Sequence, residues 1–134
     1  MKILFFLLSF SLCCENRAQK NNSSEFLILQ EAIETEVFQQ FFGICKDDSE
    51  ILIIDTTKRF ENFTSSVSCG VNIRVTSSSV SSKLSRVLTI YRFDYHKQFY
   101  KLYFHEEFTG AMMSLKFKMK KDKTILQEVK KGAF

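Results

Sequence analysis

The chain has 134 residues, with 19 basic and 15 acidic side chains, 15 phenylalanines and neither proline nor tryptophan. That length makes one ordinary domain, large enough for a hydrophobic core that needs no metal to hold it. A net charge of +4 is too small to argue for nucleic acid as a partner.

Lys2 precedes an apolar run from Ile3 to Cys14, and the polar segment Glu15–Lys20 follows. A charged start, a short apolar stretch and a small residue, Ala18, at a cleavage point form the secretory signal pattern. The run is shorter than the roughly 20 residues a helix needs to cross a bilayer. Residues 1–18 therefore read as a signal peptide, and 19–134 as one α+β domain, secreted or periplasmic, with no stable membrane span. Cys13 and Cys14 admit a lipoprotein reading, but Leu12 and Cys13 stand where such a site needs a small residue, so cleavage near Ala18 is preferred. Without the leader, 17 basic and 14 acidic side chains remain, a balance of +3. Asn21, Asn22 and Asn62 each open an Asn-x-Ser/Thr triplet, which matters only in a eukaryotic secretory pathway.

Ser23 or Ser24 is placed to cap a helix from Glu25 to Phe42. Leu29, Ile33, Val37 and Phe41 recur every four residues, widened by Phe26, Phe38 and Phe42. Gly43 can stop it in a left-handed conformation. Outside the leader only Cys45 and Cys69 remain, and an oxidising compartment makes one structural disulfide the simplest reading. A reactive thiol pair or a metal site is the rival, but both histidines lie far along the chain, so no metal site is assigned.

Glu50–Thr56 is a β-branched run suited to a buried strand, Lys58–Phe63 is a helical turn or loop, and Val71–Thr76 alternates as a half-exposed strand does. Ser77–Ser85 reads as a flexible surface connection. From Arg86 the period is two. A hairpin tipped by Lys97-Gln98 sets His96 opposite Phe99 and Asp94 opposite Lys101. It gathers Val87, Thr89, Tyr91, Phe93 and Tyr95 on one face with Tyr100, Leu102 and Phe104. A second hairpin, tipped by Thr109-Gly110, pairs Phe104 with Leu115, Leu102 with Phe117 and Tyr100 with Met119. A last strand, Lys123–Lys131, returns through Lys121-Asp122, with Ile125 beside Met119 and Val129 beside Leu115. Leu126 prefers the other parity.

The expected architecture is one N-terminal amphipathic helix on a curved antiparallel sheet of four to six strands. That outline resembles cystatin-like and NTF2-like α+β folds in architecture alone, and no function follows from it.

Chemistry-bearing residues are few. His96 with Asp94, and His105 with Glu107, are the weak candidates for a base with an orienting carboxylate; solvated strand residues are the preferred reading. The chain has no nucleophile elbow and no phosphate-binding glycine loop, and no cofactor is assigned. Tyr91, Phe93, Tyr95 and Tyr100 would line any concave side left beside the helix, and are the candidate ligand-binding residues. Lys101, Lys116 and Lys118 line the polar face, where an anionic surface could dock. The preferred reading there is a solvated face whose lysines discourage edge pairing. The leading expectation is a small secreted or periplasmic non-catalytic protein that binds a protein or small ligand. The alternatives are a small extracytoplasmic hydrolase or isomerase using a His/carboxylate pair, and a structural or inhibitory protein acting through the lysine-rich face.

Overall fold

The computed structural model describes residues 24–46, 50–77, 86–121 and 123–133. The expected signal peptide 1–18, Asn21, Asn22, Ser23, Asp122 and the serine-rich stretch after Ser77 lie outside the described residues.

Helix α1 runs through 24–34 and α2 is Glu36–Phe42. The single expected helix is thus two, because Thr35 leaves the helical region at φ −67°, ψ 139° and becomes the N-cap of α2. Its Oγ1 accepts from the Phe38 backbone N–H (3.3 Å) and donates to the Ala32 carbonyl (2.7 Å), offering the backbone an alternative to the unbroken helix. The Gln39 amide donates to the Ile33 carbonyl (3.1 Å), serving a group that the break releases. Ser24 is already helical. Gly43, left-handed at φ 61°, ends α2 as expected. The break turns Phe38 and Phe42 into the core and leaves Val37 and Phe41 at its margin.

Among the described residues seven strands form one sheet: β1 (Glu50–Asp55), β2 (Thr64–Ser66), β3 (Asn72–Thr76), β4 (Arg86–His96), β5 (Phe99–His105), β6 (Ala111–Lys120) and β7 (Lys123–Ala133). Their order is β2-β3-β1-β4-β5-β6-β7. The expected all-antiparallel sheet of four to six strands is corrected here. β1 lies parallel to both β3 and β4, the other pairs are antiparallel, and the curled sheet is mixed. The apolar run Ile51-Leu-Ile53 suits a central, buried strand in either direction. The direction follows from the long connection through β2, which lets the chain return parallel to β1 as β3, where a short hairpin would have forced the antiparallel pairing.

Both helices pack on one side of the sheet. Ile28, Leu29, Ala32, Ile33, Phe38 and Phe42 close over Ile51, Ile53, Leu88, Ile90, Leu102, Phe104, Leu115 and Phe117. Phe38 and Phe104 meet edge-on at 4.9 Å, a preferred arrangement for buried rings.

The first long hairpin is as expected at its tip: His96 pairs with Phe99, Asp94 with Lys101 and Tyr95 with Tyr100. Beyond Arg92 a bulge at Tyr91 changes the parity, so Ile90 pairs with Phe104 and Thr89 with His105. Leu88 and Ile90, and not Val87, Thr89 and Tyr91, therefore face the core. The second hairpin is two residues out of the expected register: Phe104 pairs with Met113, Leu102 with Leu115 and Tyr100 with Phe117. Its loop is Glu107–Gly110, closed by backbone bonds from Glu106 to the Ala111 carbonyl and from Gly110 to the Glu106 carbonyl, with Gly110 at φ 75°. A shift of two keeps every side chain on its face. In the last hairpin Val129 pairs with Leu115 as expected. A bulge beside Lys116/Phe117 sets Leu126 against Phe117 and Ile125 against Lys118, which resolves the conflict of parity in β7.

Cys45 and Cys69 form the expected disulfide, with Cα atoms 5.8 Å apart, and it ties the turn after α2 to the turn between β2 and β3.

Candidate functional site

The turn that follows β1 is built around Asp55, a fully buried carboxylate. Its Oδ1 accepts from the Thr57 N–H (2.9 Å) and the Thr57 hydroxyl (2.5 Å), and its Oδ2 from the Phe60 N–H (2.7 Å). This is an Asx-type turn in which an ionisable side chain does the work of backbone acceptors. It fixes Phe60 in the core and presents the neighbouring Arg59 outward. Arg59 reaches Glu25 of α1 (2.9 Å) and lies 5.4 Å over the Phe93 ring.

Those contacts form one wall of an open hollow of about 840 Å³ at the N-terminal end of α1, lined by Ser24, Glu25, Arg59, Phe93, Asp94, Tyr95, His96 and Tyr100. Three of the four expected ligand-binding residues, Phe93, Tyr95 and Tyr100, converge there. Tyr95 and Tyr100 are cross-strand partners with rings 4.7 Å apart, and Phe93 meets Tyr100 at 6.0 Å and Phe60 at 5.4 Å. Tyr100 holds its phenolic proton above the ordinary range, first through burial, then through the negative charges that Tyr95 and Glu25 can carry and a hydrogen bond with Tyr95. The sequence pattern gives Glu25, Arg59 and Asp55 no site role. Asp55-Thr-Thr after an apolar run is an Asx-turn signal, but nothing local marks Arg59 or Glu25 as neighbours of Phe93.

Tyr91, the fourth aromatic residue, lies across the sheet because of its bulge. Its ring meets Tyr103 at 5.6 Å and His105 at 5.3 Å, and burial is the main cause that raises its phenolic pKa. On that outward face Asp94 accepts from Arg92 Nε (3.1 Å) and from the Tyr103 hydroxyl (3.2 Å). Arg92 is held protonated even more firmly than usual, first by its hydrogen bond with Asp94. The carboxylate expected to orient His96 thus serves an arginine and a tyrosine. His96 lies at the hairpin end and His105 six residues further along β5, a separation of about 20 Å at the strand rise. Beside His105 the chain holds two glutamates with different surroundings: Glu107 is exposed in the loop, and the buried Glu106 pairs with Arg86.

Lys101 and Lys116 face one another across β5 and β6, and Lys118 lies opposite Phe99. Lys116 and Lys118 stand over the Phe99 ring at 4.7 and 5.9 Å, while Lys101 and Arg92 stand over Tyr103 at 5.1 and 5.2 Å. Glu128 bonds Lys130 (3.2 Å), and its carboxyl is held below the usual range by Lys130 first and by Lys101 and Lys116 after it.

Among the described residues, no three His, Cys, Asp or Glu side chains converge as a metal set, and no helix is long and apolar enough to cross a membrane. No protein-family model matches the chain, and neither a curated protein nor a solved structure matches it.

Proposed function

We propose that the protein is a small non-catalytic extracytoplasmic binding protein whose ligand enters the hollow between α1 and the β4–β5 hairpin. The observation that carries this reading is the convergence of Phe93, Tyr95 and Tyr100 around Arg59, a cation kept on an aromatic floor by Glu25. Aromatic walls supply apolar contact and a single oriented guanidinium supplies direction, the division of labour common to small-molecule sites. The ligand class that fits is a small aromatic or cyclic carboxylate, which can displace Glu25 on Arg59 and lie against the tyrosines. The cystine joining Cys45 and Cys69 supports the extracytoplasmic part of the reading.

An NMR titration of the ¹⁵N-labelled protein with benzoate tests it. The amides of Arg59, Phe93, Tyr95, His96 and Tyr100 should shift together, and Arg59→Gln should weaken the response about tenfold or more, the worth of a charge-assisted hydrogen bond. Shifts scattered over the surface, or a response indifferent to Arg59→Gln, would reject the site. A turnover abolished by His96→Ala or His105→Ala with the fold intact would replace this reading with a catalytic one.

A further inference from the structure

Lysines on a sheet are usually read as guards against edge pairing, and that reading suits Lys123, Lys130 and Lys131 on the outer strand β7. It does not suit Lys101, Lys116 and Lys118. They belong to β5 and β6, which have a hydrogen-bonded neighbour on both sides, and they project from the face away from the helices. Like charges directly opposite in a sheet are destabilising, yet Lys101 and Lys116 are such a pair. Asp94 stands opposite Lys101 and Glu128 opposite Lys116, so that pair is flanked by carboxylates, although Asp94 hydrogen-bonds Arg92 and Tyr103 and Glu128 hydrogen-bonds Lys130. Lys118, between Phe99 and Ile125, has no carboxylate opposite it. The three lysines also lie over the Phe99 and Tyr103 rings, which hold their ammonium groups in place. Two large apolar side chains bracket this band. Ile125, paired with Lys118, is 46% exposed near one end, and Phe108, in the β5–β6 loop at the other, is 97% exposed.

We propose that this outward face of β4–β7 docks on anionic membrane surfaces, with Lys101, Lys116 and Lys118 meeting lipid head groups and Ile125 and Phe108 entering the interfacial layer at either end. The arrangement favours lipid over an acidic glycan or a single-stranded nucleic acid for two reasons. The cations cover the rings, so the aromatic planes are not free to stack on a sugar or a base. A polyanion also has no use for the two exposed apolar chains, whereas a bilayer interface accepts both apolar contact and positive charge.

The test measures partition of the full chain onto vesicles of phosphatidylcholine alone and with about 30 mol % phosphatidylserine, at roughly 0.1 M salt. The readout is the ratio of the two partition coefficients, compared between wild type and variants that share the same amino-terminal run. The triple variant Lys101→Gln/Lys116→Gln/Lys118→Gln should lose about a hundred-fold in that ratio, the factor expected of three interfacial lysines. Lys46→Gln/Lys58→Gln, elsewhere on the surface, should keep it. Phe108→Ser/Ile125→Ser should weaken binding to the anionic vesicles with an unchanged melting temperature. The proposal falls if the ratio is near one, or if the control double variant loses selectivity as far as the triple one. It falls equally if the triple variant loses binding to a sulfated oligosaccharide or an oligonucleotide while vesicle binding is unaffected.

Discussion

Asp55 shows how far one side chain can organise a neighbourhood. A fully buried carboxylate with three donors about it is satisfied only while the turn 55–60 keeps its shape. Asp55→Ala removes the acceptor and leaves two backbone N–H groups and a hydroxyl in search of partners. Denaturant unfolding should register a loss of about 3 kcal/mol, near the upper range for buried charged acceptors. Tyr100 gives the pH-dependent counterpart. Its pKa in the folded protein lies above the ordinary 10.0, so the folded state holds that proton more tightly than the unfolded chain does. The resulting stabilisation is complete below pH 10.0 and is lost as the pH rises through the folded value. Comparing the wild type with Tyr100→Phe by unfolding across that range should show the variant gaining on the wild type above pH 10.0, and its absorbance titration should lack one late phenolic component.

At the scale of elements, the residue pattern told which faces meet more faithfully than which residues pair. The Lys97-Gln98 tip, the pairing of Asp94 with Lys101 and that of Val129 with Leu115 were all legible, because alternation fixes parity and a short turn fixes register. The bulge at Tyr91 was not: Val87-Leu-Thr-Ile-Tyr91 is built wholly of residues that suit either face of a strand, so a change of parity within it leaves no mark. That hidden bulge is also why Tyr91 parts from Phe93, Tyr95 and Tyr100, which border one hollow. The break between α1 and α2 escaped for a related reason, since an i, i+4 stripe continues through Thr35 without interruption. Thr35→Ala should allow the two helices to compete for a single axis and cost about 1 kcal/mol, the usual worth of an N-cap, measurable by thermal unfolding followed at a helix-sensitive wavelength.

For the whole molecule, the parallel placement of β1 was the part of the fold least available from the chain itself. Periodicity reports burial, and a run buried on both faces looks the same whether its neighbours run with it or against it. The disulfide was legible because cysteine arithmetic left only one pairing. It fastens the helical layer to the β2–β3 side of the sheet, across 24 residues of chain. The double variant Cys45→Ser/Cys69→Ser should fold less stably by on the order of 3 kcal/mol, as loop-closure entropy implies, with the deficit read from the denaturation midpoint.

The central position of β1 also sets a timetable for folding. Each of the last three strands is made by turning back on the one before, so that region can zip up locally and early. The Ile51–Ile54 ribbon has no such convenience: one of its two flanking partners begins only at Arg86. Until then its apolar side chains and unpaired backbone groups are open to strangers as well as to its own chain, so this stretch is where aggregation competes with closure of the sheet.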